Sequence, residues 1–100
     1  MERQFTVPNT HPSLAGHFPG NPIVPGVVIL DEIFQAIESN WRNKQVVKIS
    51  FVKFIRPLQA EQKVNLVIEE NDLFTVKFNC SKDDEILVSG QCKISDKGLA

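Results

Sequence analysis

Apolar residues crowd positions 27–30 and recur at 33, 34, 36, 37 and 41, a spacing that predicts a helix over residues 27–41. Near its start they cover most of the circumference, the mark of a helix buried on nearly all sides. Val27, Val28 and Ile29 are β-branched and lower intrinsic helix propensity, so tertiary packing must supply the stability. The polar exceptions are ordered: Asp31, Gln35 and Glu38 fall at i, i+4 and i+7, on one face.

Elsewhere the period is two. Residues 3–7 predict a short strand ended by Pro8 and Pro12. After the helix, Val47, Ile49 and Phe51 would share one face of a strand, with a bulge or bend where the alternation breaks at Val52. Val64, Leu66 and Ile68 define the next strand, and Glu69, Glu70, Asn71 and Asp72 read as a hairpin turn. Phe74, Val76, Phe78 and Cys80 alternate cleanly. A polar turn through Asp83 and Asp84 leads to Ile86, Val88, Gly90, Cys92 and Ile94, with a frayed tail from Ser95. One apolar helix with an antiparallel meander is an α+β arrangement, solved economically by a curved sheet wrapped around the helix.

One hundred residues fit a single domain, residues 1–100. The formal net charge of −1 gives no support to nucleic-acid or anionic-membrane binding. No apolar run is long enough to span a bilayer. Cys80 and Cys92 lack metal-type spacing and read as reduced, buried thiols of a cytoplasmic protein.

Residues 17–26 hold Pro19, Pro22 and Pro25 with Gly20 and Gly26. Each proline removes a backbone donor and fixes φ, so the loop should be stiff. It carries His17, whose residue type suits proton abstraction near neutral pH, although a lone histidine beside a Pro-Gly turn is usually structural. His11, followed by proline, reads as a turn or surface residue. Asp31 is either part of a solvated stripe or, given its apolar neighbours, a partly buried acid held in its proton-donating form. Gln35 lies one turn on and can fix its rotamer. Gly26 opens the helix, where backbone N–H groups and the dipole suit an incoming carbonyl oxygen.

Residues 17–35, HFPGNPIVPGVVILDEIFQ, resemble the active-site segment of the hotdog-fold 3-hydroxyacyl-[acyl-carrier-protein] dehydratases. The likeness runs through H-F-P-G-x-P-x-x-P-G, an apolar run, an acid and a glutamine one turn later. The preceding HPSLAG, and aspartate in place of glutamate, look most like the short aryl-polyene-type dehydratases. The stretch VVKISFVKFIRPLQAEQKV is similar to the family's long strand and the turn after it.

That resemblance implies a hotdog fold and removal of water from a 3-hydroxyacyl thioester to give the trans-2-enoyl thioester. His17 would take the C2 proton, and Asp31 would protonate or orient the leaving hydroxyl. Gly26 would offer its N–H to the thioester carbonyl, and Gln35 would orient Asp31. Phe18, Pro25 and Val27 would join Gly26 and Gln35 in binding substrate. The family uses no metal or redox cofactor. Its substrate arrives on acyl carrier protein, and the histidine and acid of one site come from different subunits. This points to a homodimer, or to a heterodimer with a related dehydratase subunit. A hotdog thioesterase and a non-catalytic partner subunit are the competing readings. Arg42, Lys44, Lys48, Lys53 and Arg56 are candidate carrier-docking residues or plain solvated surface.

Overall fold

The structure, a computed structural model, describes residues 1–14 and 23–98. Its elements in chain order are β1 (Glu2–Thr6), a 3-10 turn (Pro12–Leu14), α1 (Gly26–Asn40), β2 (Lys44–Phe54), β3 (Lys63–Asp72), β4 (Thr75–Lys82) and β5 (Glu85–Asp96). The strands form one antiparallel sheet in the order β1-β3-β4-β5-β2, so β1 and β2 are its edges. His11 belongs to the turn, accepting from Leu14 through its carbonyl oxygen and from Ser13 N–H through Nδ1.

The helix was expected to be buried, and one face of it is. Val28, Ile29, Ile33, Ala36 and Ile37 are buried against the inward residues of the sheet, among them Val64, Leu66, Ile68, Val76, Phe78, Cys80, Val88 and Cys92. Ile33 and Ile37 have no exposed surface, and burial of each such side chain contributes about 1.5–3 kcal/mol. Val27 is the exception to the pattern, 73% exposed at the first turn. Local propensity does not explain this helix. The sheet that covers one side of it does.

Three sequence expectations need correction. The first concerns β2. Opposite residues of an antiparallel pair share a face, and β2 reads its faces from β5, where Val88, Gly90, Cys92 and Ile94 are buried. Ile49 pairs with buried Cys92, whereas Phe51 pairs with outward Gln91. The two therefore lie on opposite faces, because a register shift falls between them; another falls between Val46 and Lys48. The break comes earlier than Val52 and comes twice.

The second correction is the β3–β4 hairpin. Residues 69–72 continue the strand, and the turn is made by Leu73 and Phe74. An Asp72 carboxylate oxygen accepts from Phe74 N–H at 2.8 Å, an Asx arrangement that bends the chain without glycine. That same hydrogen bond holds the Asp72 carboxyl below the usual range. By contrast, the polar β4–β5 turn is where expected, with Asp83 and Asp84 both at positive φ. The third concerns the tail, since β5 runs through Ser95 to Asp96, which pairs with Lys44 across the sheet.

Candidate active site

The expected site residues divide into three groups. His17 and Phe18 lie outside the described residues, as does most of the proline-rich loop whose stiffness the sequence implies. The remaining residues run from the N-cap of α1 to Gln35, past the middle of the helix, on two different sides of it.

On the first side, the chain entering the helix is pinned to the β2–β3 connection. Val24 N–H donates to Leu58 O at 2.8 Å, and Ile23 bridges Gln59. Pro25 is the N-cap, with φ −59° and ψ 145°, and its carbonyl accepts from both Val28 and Ile29 N–H. Proline suits this place because its φ is already set and the helix starts after it. Gly26 then meets the ring of Phe54. A Cβ built there would lie 2.8 Å from Phe54 Cζ and 2.9 Å from Cε1. The missing side chain lets helix and strand end approach.

Beside this contact lies an open, largely apolar hollow of about 390 Å³, lined by Gly26, Ile29, Phe54, Ile55, Arg56 and Leu58 among others. Phe54 and Ile55 are half-exposed there. Sequence reasoning missed this part of the site. The available signal was the pair of apolar residues just before Arg56-Pro57, at the point where a strand should be ending.

On the second side, Gln35 Nε2 donates to Asp31 Oδ2 at 2.7 Å, as the i, i+4 spacing implied. Val27, Asp31 and Gln35 form an exposed stripe one turn apart. The partial burial expected for Asp31 is absent in the single chain, because Val28, Ile29 and Ile33 point inward, away from its face, and Val27 on the same face is itself exposed. Glu38, expected on the same stripe, turns instead to the sheet, where its Oε2 accepts from Val46 N–H at 2.9 Å. Five residues separate Gly26 from Asp31, about 140° around a helix. The structure thus joins Asp31 to Gln35 and Gly26 to the hollow, without joining the two pairs.

Of the candidate docking cations, Arg56 pairs with Glu85 at 3.1 Å and Lys44 with Asp96. Lys48 and Lys53 are exposed along β2. No helix among the described residues is long and apolar enough to cross a membrane.

Comparison with known proteins gives this geometry a context. The ApeI-like family model, described as ApeI dehydratase, matches residues 1–91. Over 76 residues the chain is 37% identical to the 3-hydroxyacyl-[acyl-carrier-protein] dehydratase FabZ of Chlamydia trachomatis serovar L2, covering 66% of this chain and 50% of that protein. It is 31% identical over 98 residues to the FabZ of Ehrlichia canis, covering 83% of this chain and 65% of that one. The chain thus spans about half the length of the first of these curated relatives. Among solved structures, the dehydratase heterocomplex ApeI:P from Xenorhabdus doucetiae aligns with a TM-score of 0.80 at 25% identity, over 93% of this chain and 84% of that one. With nearly its whole length matched, and with one helix packed against an antiparallel sheet, this chain belongs to the ApeI-like family of hotdog-fold dehydratases.

Proposed function

We propose that the protein removes water from a 3-hydroxyacyl thioester carried by acyl carrier protein, releasing the trans-2-enoyl thioester. His17 accepts the C2 proton as base. The electron pair left on C2 forms the C2–C3 double bond as the C3–O bond breaks, and Asp31 gives its proton to the departing oxygen, which leaves as water. The carbonyl oxygen gains charge in between, and the N–H of Gly26 at the helix start suits it. Gln35 holds the Asp31 rotamer, and Pro25, Val27 and Phe18 contribute to the substrate surface.

The observation that carries this reading is the Asp31–Gln35 hydrogen bond on an exposed helix stripe, in a chain of dehydratase descent. Exposure has a use here. A proton donor facing away from its own chain's hollow is suited to a site completed by another subunit. We therefore assign a dimeric assembly, with a second copy or with a related subunit as in the ApeI:P heterocomplex. The reading includes residues 1–100 as one domain and a cytoplasmic location.

Incubation with 3-hydroxyacyl thioesters of several chain lengths tests the reaction. Enoyl absorbance should grow, with His17→Ala and Asp31→Ala abolishing it. Release of free thiol instead would make the protein a thioesterase. Absence of any turnover by wild type in its native assembly would leave it a non-catalytic subunit.

A further inference from the structure

Glu61 stands where its residue type is out of place. Its φ is +71°, in the left-handed region that glycine and asparagine enter readily and glutamate does not. Such a conformation persists where the surroundings hold it from more than one direction. Here they do. Glu61 N–H donates to Val7 O at 2.8 Å, and Glu61 Oε1 accepts from Asn9 N–H at 2.7 Å. Backbone and side chain of one residue thus grip the chain just after β1. The turn that carries Glu61 is closed on itself, with Gln59 N–H donating to Gln62 Oε1 at 3.1 Å.

The same connection holds a second segment, since Leu58 O accepts from Val24 N–H and Gln59 bridges Ile23. Residues 58–61 therefore hold the chain on both sides of residues 10–22, the stretch that contains His17. From Asn9 the hydrogen bonding runs on toward the histidine. His11 N–H donates to Pro8 O at 3.0 Å, and Leu14 N–H donates to His11 O at 2.9 Å. Leu14 is buried in the core, three residues before His17. On the other side, Val24 and Leu58 line the hollow beside Gly26.

We propose that Glu61 is a positioning residue for His17. Its carboxylate, through Asn9 N–H, sets where the arm leading to His17 stands relative to the hollow. Glycine would serve a turn at this φ with less strain. What glycine lacks is the carboxylate, and what the carboxylate holds is Asn9. Reacting groups need such support, because small misplacements are expensive in rate. The hollow end is tied by Val24 and Leu58, without the Glu61 side chain, so substrate binding and base placement should separate.

This inference rests on the reaction and the role of His17 proposed above. Its test is Glu61→Gly in the full chain and native assembly. For a displacement of about 1 Å, kcat should fall about 10²-fold, while KM stays within about twofold. The urea midpoint should stay close to wild type, because glycine accepts the left-handed backbone. Glu61→Gln keeps an oxygen at the same reach and should restore most of kcat. The NMR signal of the His17 ring, identified by its loss in His17→Ala, should shift in Glu61→Gly and return in Glu61→Gln. Should Glu61→Gly fail to fold, Glu61→Asn takes its place, at ease in this backbone region but one methylene short of Asn9. An unchanged kcat with an unmoved His17 signal would overturn the proposal. So would a loss that merely tracks a lowered urea midpoint, which would make Glu61 a stabiliser of the turn. If wild type shows no turnover, the proposed function fails by itself, and the His17 signal still decides whether Glu61 positions the ring.

Discussion

Replacing Gly26 with alanine separates what this glycine does for stability from what it does for the site. The added Cβ would stand 2.8, 2.9 and 3.3 Å from three atoms of the Phe54 ring, against an ordinary carbon contact of about 3.5–4.0 Å. The ring must move by about 1 Å. Phe54 is 50% exposed, so it has room to do so, at about 0.5–1.5 kcal/mol for an off-rotamer shift. Alanine returns about 0.5–1 kcal/mol through helix propensity and a less flexible unfolded chain. The two effects offset, and the unfolding free energy from urea titration should change by less than about 1 kcal/mol.

Function should respond differently. The displaced ring moves at the hollow that Gly26 and Phe54 line together, while the backbone at position 26 keeps its N–H. A misplacement of about 1 Å near reacting groups costs about 10²-fold in rate, and the enoyl assay should register a loss of that order. Adding Phe54→Leu should recover part of it. A destabilisation above about 3 kcal/mol would show that Phe54 cannot yield. Unchanged turnover would remove the hollow from the reaction.

Gly90→Ala should behave in the opposite way, losing about 2–3 kcal/mol, because its Cβ would meet the Phe51 backbone oxygen and the fully buried Phe78 ring, both at 2.6 Å; a loss under about 1 kcal/mol in urea would contradict this. Burial pushes the Cys80 thiol up to about 12 and the Cys92 thiol up to about 11. The unfolded chain ionises both near 9.0, so stability is fully present below about pH 9 and falls as pH rises toward 11–12. Urea midpoints at pH 8 and pH 10 should show the fall, Cys80→Ala with Cys92→Ala should flatten it, and rapid native labelling by a thiol reagent at pH 8 would refute the burial. Gln35→Ala should lower kcat while leaving the fold and KM nearly unchanged, because it releases the Asp31 rotamer, with Gln35→Glu failing to rescue; an unaltered kcat would deny Gln35 its positioning role.

Much of the fold was legible because its signals were local and agreed. The apolar density of residues 27–37 has no outlet except a covered helix, and the alternation of Val64, Leu66 and Ile68 leaves one register for a half-buried strand. What misled was chemistry that resets the period. A bulge in β2 between Ile49 and Phe51 reverses the face of one relative to the other, and alternation in the sequence carries no mark of an inserted residue. Leu73 and Phe74 make a turn without turn-forming residue types because the Asp72 carboxylate does the bending.

The site was legible in part for the same reason. Spacing alone paired Asp31 with Gln35, since i, i+4 contacts are local. The exposure of Asp31 and Val27 depends on which side of α1 the sheet covers, a tertiary fact with no local signal. The Phe54 hollow likewise arises only when the end of β2 meets the start of α1.

The central claim is a dehydratase whose histidine and acid serve different sites of a two-copy assembly. Co-expressing His17→Ala with Asp31→Ala chains tests it directly. Half of randomly assorted dimers combine one chain of each kind, and each such dimer holds one intact site, so activity should return to about a quarter of wild type although each variant alone is inactive. Mixed dimers verified by mass that show no recovered turnover would contradict that arrangement.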